Sequence, residues 1–129
     1  MERRGIQSEL IPRIATGLCG GVARTGGICG AVSGGVLGIN VVTGRSGPNQ
    51  STEVNFRLVR AFLGEFQKRF GTTTCEQLIG CCLDTPEGQR FFKENKLRET
   101  RCQIFTREAA RMAGGVLQPE APNRGEGAR

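Results

Sequence analysis

Apolar residues recur at helical spacing along this chain, and that periodicity restricts its fold more than any other feature. Between Thr52 and Phe70 the apolar side chains share one broad face, made by Leu58, Val59, Phe62, Leu63, Phe66 and Phe70. Charged residues take the other side, and Gly71 follows as a helix stop. No segment shows the sustained alternation typical of a strand. The sequence therefore predicts an all-α fold.

Five further segments carry helix signals. A short helix is predicted around Ser8–Thr16, and Ile28–Val42 predicts a second that is rich in glycine. Cys75 to Ile79 predicts a short helix that Gly80 stops, and Thr85-Pro86-Glu87 is a strong helix start. Lys96–Val116 predicts one closing helix whose inner face includes Cys102. We expect a compact bundle of about four to five helices with a glycine-rich N-terminal loop.

The length of 129 residues suits a single domain, which we place at residues 1–116. Residues 117–129 hold prolines, glycines and little that is apolar, so they predict a disordered tail. No secretory signal is visible at the N-terminus. The longest apolar stretch has about fifteen residues, whereas a membrane span needs roughly twenty. We therefore expect a cytoplasmic protein without membrane contact.

Gly30, Gly34 and Gly38 recur at helical spacing and would form one bare stripe on the second helix. Each interior glycine costs a helix about 1 kcal/mol relative to alanine. Close approach of a neighbouring helix or of a cofactor could offset that cost. Gly30 and Gly34 are thus candidate cofactor contacts, and Gly34→Leu is expected to be strongly destabilising.

Composition removes many kinds of catalysis, because the chain contains no histidine, tryptophan or tyrosine. A Ser-His-Asp triad, a zincin helix and a histidine-ligated haem are excluded. Six cysteines remain, which points to sulfur chemistry. In a reducing compartment they are typical of metal ligands or reactive thiols. The alternative is that they are buried as small apolar residues.

Position, more than spacing, distinguishes the cysteines. Cys29 and Cys75 each fall where a helix begins, and helix N-termini stabilise thiolates. Cys81 follows a helix stop, and Cys102 lies on an apolar face. We expect these four to meet at one point in the bundle. A Cys₄ set suits an iron–sulfur cluster or zinc, whereas a surface dithiol suits thiol–disulfide exchange.

Several segments together resemble the C_GCAxxG_C_C family of cysteine proteins. The resemblance lies in residues 20–26, in Cys29–Gly34, in 66–81 and in 84–102. It implies a small all-α protein whose cysteines have a redox or cluster-binding role. By motif match, Cys29, Cys75, Cys81 and Cys102 are the implied ligands. Cys19 and Cys82 lie outside the match and are predicted to be dispensable.

Three functions fit the sequence. The first is an electron-transfer protein that holds an iron–sulfur cluster and meets a redox partner protein. The second is a thiol–disulfide protein with Cys29 or Cys75 as attacking thiolate. Zinc or no cofactor is the alternative to an iron–sulfur cluster. The third is a basic binding module, since the net charge is +6. Interleaved acids in the C-terminal third favour a solvated helix face over a nucleic-acid surface. A homo-oligomer is left open.

Overall fold

The computed structural model describes residues 4–118, and that part of the chain folds as an all-α bundle. Six right-handed α-helices run in order: α1 Leu10–Ala15, α2 Gly30–Thr43, α3 Glu53–Phe70, α4 Cys75–Ile79, α5 Pro86–Glu94 and α6 Gln103–Val116. A 3₁₀ turn, Thr16–Leu18, follows α1, and a π-helical segment, Arg98–Cys102, leads into α6. The predicted fold class is confirmed. Outside the helices, Ile28 and Thr74 form an isolated antiparallel bridge.

Helices α2, α3 and α6 pack against one another and enclose the core. Phe62 and Phe66 of α3 are 0 % exposed. The ring of Phe66 lies 6.3 Å from that of Phe105, and the ring of Phe70 lies 5.0 Å from it, both edge to face. The apolar face predicted for α3 is therefore the face that packs on α6. Such aromatic pairs contribute about 0.5–1.5 kcal/mol beyond the area that they bury.

The glycine that lets helices approach is Gly35, so the prediction for Gly34 is wrong. Gly34 is exposed, and a Cβ built on it would meet nothing within 4 Å. A Cβ on Gly35 would lie 2.8 Å from Cε2 of Phe62. The buried residues of α2 are Val32, Gly35 and Ile39. The side of the helix that faces the core therefore lies next to the glycine stripe and does not coincide with it. Leucine at position 34 would meet solvent instead of a neighbouring helix.

Several predicted helix ends are confirmed. Gly71 and Gly80 stop α3 and α4 with φ angles of +88° and +78°, which favour glycine. Pro86 opens α5, and the Thr85 Oγ1 accepts a hydrogen bond from the Gly88 amide at 3.0 Å. The sequence thus encodes these boundaries locally.

The closing helix is shorter than predicted, because the chain changes geometry between Lys96 and Cys102. Lys96 has a φ of +52°, and the π-helical segment follows it. Two contacts hold this segment in place: Leu97 is buried, and the Arg101 guanidinium donates to the Leu78 carbonyl oxygen at 3.1 Å. Tertiary contacts of this kind override the helical pattern of the sequence.

The predicted tail, 117–129, falls outside the described residues except for two positions. Leu117 is one of them, and its side chain packs against the core. In the part of the chain that the structure describes, no helix has the length and apolar character that crossing a membrane requires.

Candidate cysteine site

A left-handed turn at residues 20–24 begins the site. All five residues have positive φ angles, between 54° and 71°, and three of them are the non-glycine residues Val22, Ala23 and Arg24. Left-handed backbone costs a non-glycine residue roughly 1–2 kcal/mol. Contacts made by the turn must offset that cost. The Gly20-Gly21 pair predicts a loop here. The left-handed conformation of that loop, however, is set by the packing of Gly21.

Gly21 is the residue on which the turn packs. It is buried, and a Cβ built on it would lie 2.6 Å from the Gly27 nitrogen and 2.7 Å from the Cβ of Cys75. The Gly27 amide also donates to the Gly21 carbonyl oxygen at 2.8 Å. No other residue fits at position 21, so the turn is seated directly against Cys75. Sequence analysis missed this role, and the Gly20-Gly21 pair was its only signal.

The starts of α2 and α4 are joined by two backbone hydrogen bonds. The Cys29 amide donates to the Thr73 carbonyl oxygen at 2.8 Å, and the Cys75 amide donates to the Gly27 carbonyl oxygen at 2.7 Å. Cys29 is the N-cap of α2, and Cys75 is the first residue of α4. Two cysteines that lie far apart in sequence are therefore fixed side by side, each at a helix start as predicted.

Cys81 lies just beyond the C-terminal end of α4, and Cys102 lies on a segment that is bonded to that helix. Cys81 follows the Gly80 stop, and Cys102 ends the π-helical segment. The hydrogen bond from Arg101 to the Leu78 carbonyl oxygen attaches that segment to α4. Both cysteines are half-buried, whereas Cys29 and Cys75 are only 8 % and 7 % exposed.

Cys29, Cys81 and Cys102 all lie near enough to Cys75 to act on its ionisation. Burial, and then the thiolate charges of Cys29, Cys102 and Cys81, raise the pKa of Cys75 to about 11. Burial and the charge of Cys29 raise the pKa of Cys102, which Arg98 opposes. Burial and the charge of Cys82 raise the pKa of Cys81. Cys75 therefore lies near each of the other three candidate ligands.

The expectation that a helix start would ease ionisation of Cys75 is wrong. Its pKa rises because burial outweighs the dipole of α4, which has only five residues. As a free thiol, Cys75 is protonated near neutral pH.

Cys19, Cys29, Cys75 and Cys102 line one open groove, which we call the cysteine groove. Gly30 and Gly34, the candidate cofactor contacts, line it too. Gly30 is close to the preceding chain, since a Cβ on it would lie 3.4 Å from the Cα of Cys19. Cys81 and Cys82 lie outside the groove. All six cysteines are free thiols, and within residues 4–118 no three cysteine, aspartate or glutamate side chains are positioned to hold a metal ion.

The sequence profile of the family described as "Putative redox-active protein (C_GCAxxG_C_C)" matches residues 1–116. The chain belongs to this family, and the resemblance drawn from its motifs is confirmed. No curated protein and no solved structure matches the chain.

Proposed function

Starting from membership of this family of redox-active type, we propose that the protein is a small electron carrier. Cys29, Cys75, Cys81 and Cys102 would ligate an iron–sulfur cluster, and electrons would pass to a redox partner protein. The observation that carries this proposal is the pair of backbone hydrogen bonds that holds Cys29 beside Cys75, with Cys81 and Cys102 near enough to act on the ionisation of Cys75. Within residues 4–118 no three such side chains are already placed around a metal, so ligation would require the four thiols to draw together as the cluster binds. Four cysteine thiolates are the usual donor set of such clusters.

The thiol groups of the site suit a positively charged metal centre. Burial, and then repulsion between neighbouring thiolates, raises the pKa values of Cys75 and Cys102. A metal centre relieves the repulsion and displaces the thiol protons, so its binding is coupled to proton release. When bound, the cluster would supply one-electron transfer.

The protein's own contribution would be to position and partly neutralise the ligands. Cys29 is held at the N-cap of α2, where the first amides of the helix have no partner within it. Such amides favour negative charge nearby. The Arg98 guanidinium acts in the same direction on Cys102, since its charge opposes the rise that burial causes in the pKa of that thiol.

Anaerobic reconstitution with iron and sulfide tests the proposal. The reconstituted protein is expected to be brown, with iron and sulfide in similar amounts. Replacing Cys29, Cys75, Cys81 or Cys102 by serine, one at a time, should remove most of the bound iron. Cys82→Ser and Cys19→Ser are matched controls and should retain it. A colourless protein, or iron content that is unchanged in all four ligand variants, would overturn the proposal. Loss of iron in Cys19→Ser would instead make Cys19 a ligand.

A thiol–disulfide protein is the second candidate, favoured by the adjacency of Cys81 and Cys82. Both are half-buried, and burial followed by the charge of Cys82 raises the pKa of Cys81. Because the pKa of Cys75 is about 11, this candidate shifts the attacking thiol away from Cys75. Colourless protein that loses two thiols on mild oxidation would select it.

A further inference from the structure

The π-helical segment that ends at Cys102 lies between two buried residues of the core. Leu97 comes directly before the segment, and Phe105 comes three residues after Cys102. These two residues anchor the ends, but they do not by themselves explain the geometry between them, because π turns are rare and α-helical turns are the usual conformation. A contact within the segment must therefore help to hold it.

One side chain of the segment reaches across to α4. The Arg101 Nη1 donates a hydrogen bond to the Leu78 carbonyl oxygen at 3.1 Å, and the two residues are 23 positions apart in the sequence. Leu78 is buried, and it belongs to the last turn of α4, where carbonyl groups have no partner within the helix. The guanidinium supplies that partner, so loss of the bond would leave a carbonyl of a buried residue unsatisfied.

This hydrogen bond joins the helix that carries Cys75 to the turn that carries Cys102. Leu78 lies between Cys75 and Cys81 in the sequence, and Arg101 directly precedes Cys102. Adjacent residues of a helical turn project in fixed and different directions, so a bond that fixes the direction of Arg101 also fixes that of Cys102. Cys102 is thereby kept close enough to Cys75 to act on its ionisation.

We propose that Arg101 is a positioning residue, whose hydrogen bond to the Leu78 carbonyl oxygen holds Cys102 against α4 beside Cys75. Arg101 itself ligates nothing and acts only through the placement of Cys102. Its role differs from that of Arg98, whose charge opposes the rise in the pKa of the Cys102 thiol. This inference rests on the proposed function, because it assigns to Arg101 the placement of one of the four proposed ligands.

Alkylation of the reduced, metal-free, full-length chain tests the role of Arg101. Iodoacetamide, a small neutral reagent, is added to the wild type, to Arg101→Met and to Arg107→Met, and peptide mass spectrometry gives the rate at every cysteine. Methionine keeps an apolar stem but has no donor. Arg107→Met is the matched control, because it removes the same charge from an exposed position on the following helix. Cys29 is the internal reference, since its amide is bonded to Thr73 and not to the π-helical segment.

In Arg101→Met, the rate at Cys102 relative to Cys29 should rise at least about threefold, because the turn is released from α4. Mere loss of a nearby cation would raise the pKa of the thiol and slow its reaction, so position and charge predict opposite signs. Arg101→Lys keeps a donor and should lie between the wild type and Arg101→Met. An unchanged or slower Cys102, an equal rise at Cys29, or an equal rise in Arg107→Met would each overturn the proposal.

A second readout connects Arg101 to the metal site. After anaerobic reconstitution with iron and sulfide, Arg101→Met should release iron to a chelator at least about threefold faster than the wild type and Arg107→Met, because one ligand is held less firmly. The alkylation rates need no iron, so the two proposals can fail separately. A colourless protein in which Arg101→Met still speeds alkylation of Cys102 would overturn the cluster alone. A brown protein in which Arg101→Met changes neither rate would overturn the role of Arg101 alone.

Discussion

The phenylalanine core between α3 and α6 is made of regular helices. The region around Gly21, Cys29 and Cys75, which we call the cysteine junction, is instead made largely of irregular backbone. In the core, Phe62 and Phe66 are fully buried by side chains of neighbouring helices. At the junction, Gly21 packs its bare backbone on Cys75, and paired amides fix the chain around it. The core thus depends on the volume of its side chains. The junction depends on backbone angles that only certain residues allow, and changes of different kinds should damage the two regions.

The largest effect is expected in the core. Phe66→Ala removes a fully buried ring that contacts Phe62, Phe70 and Phe105, and it should lower the free energy of unfolding by about 3–5 kcal/mol. Urea denaturation measures this. Phe56→Ala is the control, because that ring is 59 % exposed and should cost less than about 1 kcal/mol. Equal losses in the two variants would contradict the assignment of the core.

A single methyl group added at the cysteine junction should lower the stability of the protein. Gly21→Ala combines a φ of +71° with contacts of 2.6 and 2.7 Å, and we expect a loss of about 2–4 kcal/mol. Gly80→Ala is the matched control, since its φ is +78° but nothing lies within 4 Å of the new methyl. It should cost only the backbone strain, about 1–2 kcal/mol. Modification of Cys75 by a neutral thiol reagent should quicken in Gly21→Ala alone. If both variants lose the same stability, the packing of the turn on Cys75 is wrong.

Neighbouring glycines of α2 should give opposite results. Gly35→Ala pushes a methyl into the Phe62 ring and should lower stability by about 1–3 kcal/mol. Gly34→Ala meets nothing within 4 Å on an exposed face, so it should raise stability by up to about 1 kcal/mol. Thermal unfolding of the pair measures the sign of each change. A loss in Gly34→Ala would restore the close-contact role first assigned to the glycine stripe.

Alkaline pH should lower the stability of the metal-free protein through the cysteine site alone. Folding raises the pKa of Cys75 from 9.0 to about 11, so the folded state retains the thiol proton longer than the unfolded state does. This contribution to stability is fully present below pH 9 and should be lost between pH 9 and about 11. Cys75→Ala removes the titrating group and should show a shallower decline over that range. A stability that rises between those pH values would contradict the burial of this thiol.

Much of the fold could be predicted from local signals. The range of α3 agrees with its apolar periodicity, and Gly71, Gly80 and Thr85 mark helix ends as expected. The placement of Cys29 and Cys75 at helix starts follows from the glycines and threonines before them. These features depend on interactions between residues a few positions apart, which a sequence displays directly. The ligand roles of the cysteines stay predictions.

Other features were decided only by the tertiary structure. Which glycine of α2 meets α3 depends on how the helix is rotated, and two adjacent glycines differ by about 100° around its axis. The left-handed turn at 20–24, the π-helical segment and the raised pKa of Cys75 each depend on contacts between segments distant in sequence. The sequence by itself determined most of the helix ends and which residues carry the sulfur, but not the start of the closing helix. The packing of those helices determined which glycine is crowded and which thiol is buried, because burial and close contact exist only once distant segments meet.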